Sequence, residues 1–152
     1  MVSRARSALR YIWAAPATLV GIALALFACA CGARARVQNG VIEVAGGFLD
    51  SVLPSLPFSI LAITFGHVVL GVRHEVLEKE RAHEHAHVRQ YERWGVLFFL
   101  LYLGSSFIQW ARGRDPYRDN AFERRAVLVA GGDPVRLNRA RFHGSNKRGP
   151  EP

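Results

Sequence analysis

His83-Glu84-His85-Ala86-His87 lies within a polar stretch, His74 to Arg93, that no glycine or proline interrupts before Gly95. The pattern is helical, and Glu75 and Lys79 form an i,i+4 pair in the favourable order. On a helix, residues four apart are separated by about 400°, so His83 and His87 share one face, about 40° apart. Both imidazoles then reach one ion. Glu84 is adjacent to His83 and stands three before His87, close enough to polarise a water on that ion without ligating it. Two neutral imidazoles and a carboxylate acting as general base are what HExxH chemistry requires. His85 points to the other side and is a bystander. A solvated face rich in His, Glu and Arg would carry the same letters. The metal-site reading is preferred for its context: a strand before the helix, an apolar helix after it, and a candidate third ligand downstream.

Upstream, the residues read as strands. Val37-Gln38-Asn39-Gly40-Val41-Ile42-Glu43-Val44 places β-branched residues around Asn-Gly, a strong hairpin turn signal. Gly46-Gly47 ends the second strand. Pro54 and Pro57 make residues 48–58 a loop or a short helical turn. Phe58 to Leu70 is apolar, short, β-branched and bounded by proline and glycine. It is expected to be one buried strand rather than a membrane helix. His67, beside Gly66, is expected to be a core residue.

The first third of the chain has a different design. Arg4, Arg6 and Arg10 precede an apolar stretch from Tyr11 to Cys31. Crossing the hydrocarbon takes about 20 apolar residues, whereas the apolar part of a signal peptide runs to roughly 7–15. An uncleaved anchor is therefore favoured. Two rivals stand beside it: a lipoprotein box at Leu26-Phe27-Ala28-Cys29, and a small-x-small cleavage site at Ala28-Cys29-Ala30. The arginines before the segment, against Arg34 and Arg36 after it, bias the N-terminus weakly toward the cytoplasm. Cys29 and Cys31, two apart on a helix, do not face each other and read as small apolar residues.

Downstream, Trp94 to Trp110 is almost wholly apolar. It reads either as a short membrane span with tryptophan belts or as a core or interfacial helix. A straight span of about 17 residues is about 25 Å long and would carry the rest of the chain to the opposite surface. A metal site fed from both sides of it argues for the core or interfacial helix.

His83 through Gly95 resembles the metal-site helix of small bacterial HExxH membrane proteins, distantly related to the gluzincin-type, zincin-like metallopeptidases. In that family a second helix brings a glutamate, often within Asn-Pro-x-Glu. The matching stretch is Asp119-Asn120-Ala121-Phe122-Glu123, and the resemblance implies Glu123 as third ligand. Val96 and Ala121 stand where the family often has proline, and neither change removes a ligand. The resemblance covers residues 60–127. It implies a zincin-like fold, Zn2+ held by His83, His87 and Glu123, Glu84 as catalytic base, and a peptide substrate. Asn120-x-x-Glu123 is equally a capping box, opening a helix from Ala121 to Ala130 that Gly131-Gly132 would stop. With Glu123 as cap partner, Asp119, Asp115, Glu80 or His67 would complete the site. His67 or Tyr117 is a candidate for steadying an oxyanion.

The chain carries a formal charge of +8. That charge is scattered, without the dense basic run of a nucleic-acid arm, and suits anionic headgroups as well. No nucleic-acid partner is expected; the lipid bilayer is. The expectation is an α+β protein in three parts: a basic N-terminus and transmembrane anchor over 1–33, a zincin-like metal-binding domain over 34–131, and a disordered basic tail over 132–152. It would sit in a bacterial plasma membrane as a single-pass protein with its domain outside. Two function classes remain: a membrane-anchored zinc-dependent hydrolase of metallopeptidase type, and a non-catalytic membrane protein with a structural metal site or none.

Overall fold

A computed structural model of the chain describes residues 2–56 and 60–132. The expected tail, from residue 133 on and including His143, lies outside the described residues, as does Pro57. The described residues form an α+β structure. Helix α1 is Val2–Ala30, followed by strands β1, Arg34–Gln38, and β2, Val41–Ala45. A short helix α2, Leu49–Ser55, leads to β3, Ala62–Phe65, and β4, Val68–Gly71. Three helices complete the chain: α3, His74–Trp94; α4, Leu97–Ala111; and α5, Ala121–Val129. The order after α1 (hairpin, further strands, HExxH helix, apolar helix, short helix carrying Glu123) is the expected one.

Asn39 and Gly40 both have positive φ, 52° and 79°, and join β1 to β2 with Gln38 opposite Val41. This is the two-residue turn that Asn-Gly favours, because its twist matches that of the flanking strands. One expectation fails at the next apolar run. Phe58 and Ser59 lie outside the described residues, and the rest of the run to Leu70 is not one strand: β3 and β4 are antiparallel, with Phe65 opposite Val68. Gly66, at φ 59°, takes the first central position of the turn, where a type II′ hairpin places glycine. Phe65 and Val68 flank the turn, so Gly66-His67 is its only mark in a largely apolar run.

The two hairpins join through β2 and β4, which are parallel, giving the order β1-β2-β4-β3. Side chains alternate between the two faces of this sheet. On one face Val44, Val68 and Leu70 share a core with Ala25 and Ala28 of α1 and Leu49 and Leu53 of α2. On the other face Val41, Ala45 and Val69 pack with Leu77 and Val88 of α3. Burial on both faces explains the nearly unbroken apolar runs of β2 and β4.

Helix α1 is a wall of this structure. Its buried stripe is Ala14, Gly21, Ala25 and Ala28, with Thr18 half-buried among them. Small residues let the backbones approach: a Cβ on Gly21 would lie 2.7 Å from Val68 Cβ and 2.9 Å from Phe65 O. Among the described residues, Arg10–Ala30 is the one helical stretch long and apolar enough to cross a membrane unaided. The 15 residues of α4 fall short of the ~20 a span needs.

A buried ion cluster lies between the sheet and α3. Glu43 of β2 is 2 % exposed. It accepts from Arg36 Nε at 2.9 Å and from Arg81 Nε at 2.7 Å. Burial alone would raise its pKa; the hydrogen bonds and charges of Arg81 and Arg36 outweigh that and hold it below the usual carboxylate value. Arg36 also bonds Glu78 at 2.9 Å, so β1, β2 and α3 are tied at one point. The chain divides into two compact units within α4, between Leu101 and Tyr102.

Candidate metal centre

The first unit supplies the HExxH helix. His83 and His87 stand one turn apart on α3, as their spacing requires. Their Nε2 atoms are 3.1 Å apart and their rings nearly perpendicular, at 80°. Two nitrogens bound to one tetrahedral ion at 2.0–2.1 Å would be about 3.3 Å apart, so the spacing observed is close to that of a ligand pair. His87 is fixed from behind: its Nδ1 lies 2.9 Å from Gln90 Oε1. An amide oxygen only accepts, so Nδ1 carries the proton and Nε2 keeps its lone pair for an ion. The His87 ring also stands 6.1 Å from the ring of buried Phe98, which packs on Tyr91 at 4.5 Å. Burial pushes the Tyr91 hydroxyl up to about 12, which keeps it neutral.

Glu84, 7 % exposed, accepts a 2.6 Å hydrogen bond from Thr64 Oγ1 on β3. Sheet alternation turns Thr64 toward α3, on the same face as Glu43. The bond fixes one carboxylate oxygen of Glu84. His85 faces the Glu43 side of the helix, as expected of a bystander, and burial pulls its pKa below the usual histidine value.

Helix α5 carries Glu123 in its first turn. Asn120 caps α5, its Oδ1 accepting from Phe122 N at 2.9 Å. Its Nδ2 donates to Tyr102 O at 3.0 Å and to Ser106 Oγ at 2.7 Å, pinning the start of α5 to α4. The reciprocal half of a capping box is absent, because Asn120 N donates to Tyr117 O. Glu123, buried, instead accepts a 2.6 Å bond from Tyr102 Oη.

One ligand atom from each of His83, His87 and Glu123 lies within 4.8 Å of the other two. Imidazole and carboxylate are the donors Zn2+ accepts, so the residues present fit that ion. The alternative third ligands are placed elsewhere. Asp115 and Asp119 cap the turn before α5, Asp115 Oδ1 accepting from the amides of Tyr117 and Arg118. Glu80 is exposed. His67 is buried, as expected, stacked on Tyr11 at 4.2 Å with its Nε2 3.3 Å from Glu92. The motif identified neither Thr64 nor Tyr102. Gln90 was within reach of sequence reasoning, since i,i+3 from a ligand histidine is where a helix places a supporting acceptor.

Compared with known proteins, the chain matches no family model, no curated protein and no solved structure.

Proposed function

We propose that this chain is a membrane-bound, zinc-dependent hydrolase of metallopeptidase type, acting on a peptide. The observation that carries the reading is the convergence of His83, His87 and Glu123 donors with a buried carboxylate, Glu84, next to the first ligand. A purely structural zinc site has no use for that carboxylate. His83, His87 and Glu123 would hold the ion. Bound zinc would supply Lewis acidity, polarising a water and the scissile carbonyl. Glu84 would be the general base that accepts a proton from the attacking water and returns it to the departing amine. Thr64 holds one oxygen of Glu84. Gln90 and Tyr102 orient His87 and Glu123.

The test is elemental analysis of the detergent-purified protein, wild type beside His83→Ala/His87→Ala. About one zinc per chain in the wild type, lost in the double variant, is expected. A wild type that takes up no zinc even when supplied with it removes the site and with it the enzyme.

A further inference from the structure

The sequence of α1 is apolar on every side, but the structure divides it by size. Toward the sheet it presents Ala14, Thr18, Gly21, Ala25 and Ala28. On the opposite side Ile12, Leu19 and Leu26 are 69 %, 65 % and 69 % exposed. These three are spaced by seven residues and lie within about 40° of one another around the axis. From Ile12 to Ala30, no charged, hydroxyl or amide side chain is exposed on α1.

The sheathed side runs the length of the apolar stretch. Tyr11 stacks on His67 at one end, Phe27 meets Phe48 at 5.8 Å near the other, and Gly21 lies against β4 between them. Sixteen residues of helix cover about 24 Å, most of the ~30 Å hydrocarbon thickness. If α1 ran straight across a bilayer, the sheet beside it would share that depth. Strands β1 and β3 are the sheet's edges, and open sheet edges do not occur exposed to lipid. Exposed Glu78, Lys79 and Glu80 of α3 would be drawn toward the hydrocarbon as well. With α1 lying flat, both conflicts vanish: its outer face meets acyl chains while the sheet and α3 stay on the water side.

We infer that α1 is an in-plane helix, sunk along its Ile12–Leu19–Leu26 face into one leaflet, and that the occupant of this face is a lipid bilayer. Arg10 before the stretch and Arg34 after it, both exposed, place positive charge at both ends, level with anionic headgroups. The folded domain takes the place of the polar face that surface-lying helices ordinarily carry. The inference does not rest on the metal site.

The test is a depth measurement on the full chain with Cys29 and Cys31 changed to Ala. A nitroxide is attached in turn at Ile12→Cys, Leu19→Cys and Leu26→Cys, all largely exposed positions. In vesicles of phosphatidylcholine with phosphatidylglycerol, oxygen and nickel-chelate accessibility gives the depth of each label. Three similar depths, about 5–10 Å below the headgroups, are expected. A label at Leu19 deep in the bilayer with shallow labels at Ile12 and Leu26 overturns the inference in favour of a crossing helix. Labels shielded from lipid overturn it in favour of a second copy or another protein. Repeating the scan in His83→Ala/His87→Ala keeps this result separate from the fate of the metal site.

Discussion

Thr64 Oγ1 donates to Glu84 Oε2 at 2.6 Å, joining the edge strand β3 to the carboxylate of the HExxH motif. A hydrogen bond to a charged group contributes about 1.5–3 kcal/mol. Thr64→Val is therefore expected to lower kcat/KM for peptide hydrolysis while zinc content is kept, with Thr64→Ser restoring it. An unchanged kcat/KM in Thr64→Val would show that Thr64 has only a packing role.

Glu84→Gln keeps the shape of the side chain and removes its basicity. It is expected to retain zinc and lose peptide hydrolysis, whereas His87→Ala loses the zinc. Equal metal content in wild type and both variants would sink the ligand assignment.

Gln90 touches no ion in this scheme, yet it fixes which nitrogen of His87 carries the proton. Gln90→Leu is expected to weaken zinc binding about 10–100-fold without unfolding the protein. Competition with a chromophoric chelator, read beside circular dichroism, measures both.

Glu43 is held by two arginines, and its folded pKa lies below its unfolded one. A depressed carboxylate pKa contributes stability that is fully present above the unfolded value and disappears as pH falls through the folded value. The thermal midpoint is thus expected to fall as pH drops below the ordinary carboxylate range, and less steeply in Glu43→Gln. At neutral pH Glu43→Gln itself is expected to cost about 1–3 kcal/mol, because two arginines lose a charged partner. A pH-independent midpoint in the wild type would contradict this.

Gly21→Val tests the seat of α1. The added Cβ alone would stand 2.7 Å from Val68 Cβ, and overpacking of this kind costs about 1–3 kcal/mol. A lowered midpoint with unchanged zinc content is expected; an unchanged midpoint would mean α1 is not seated against β4.

Much of this was legible in the sequence. Asn39-Gly40 announced its hairpin because positive φ at both positions has few tenants. The face shared by His83 and His87 came from helical geometry alone. Glu123 came into view only through a family pattern; whether Asn120-x-x-Glu123 closes a capping box depends on where Asn120 N donates, which local letters do not record. The β3–β4 turn was missed because Gly66-His67 sits inside a largely apolar run that suits one long buried strand equally well. The docking of α1 was illegible to hydropathy: both of its sides are apolar, and only side-chain volume separates them.

The mixed sheet has a consequence in time. Each hairpin closes over a two-residue turn, a local event. The parallel pair that unites them brings together Ile42 and Val68, 26 residues apart, and long-range pairing of this kind bears the larger loop-closure entropy. Gly66 and Gly21 also seat the β3–β4 hairpin closely against α1. The hairpins are therefore expected to form first, and their side-by-side joining on α1 to be the slower step that completes the sheet and presents Thr64 to Glu84.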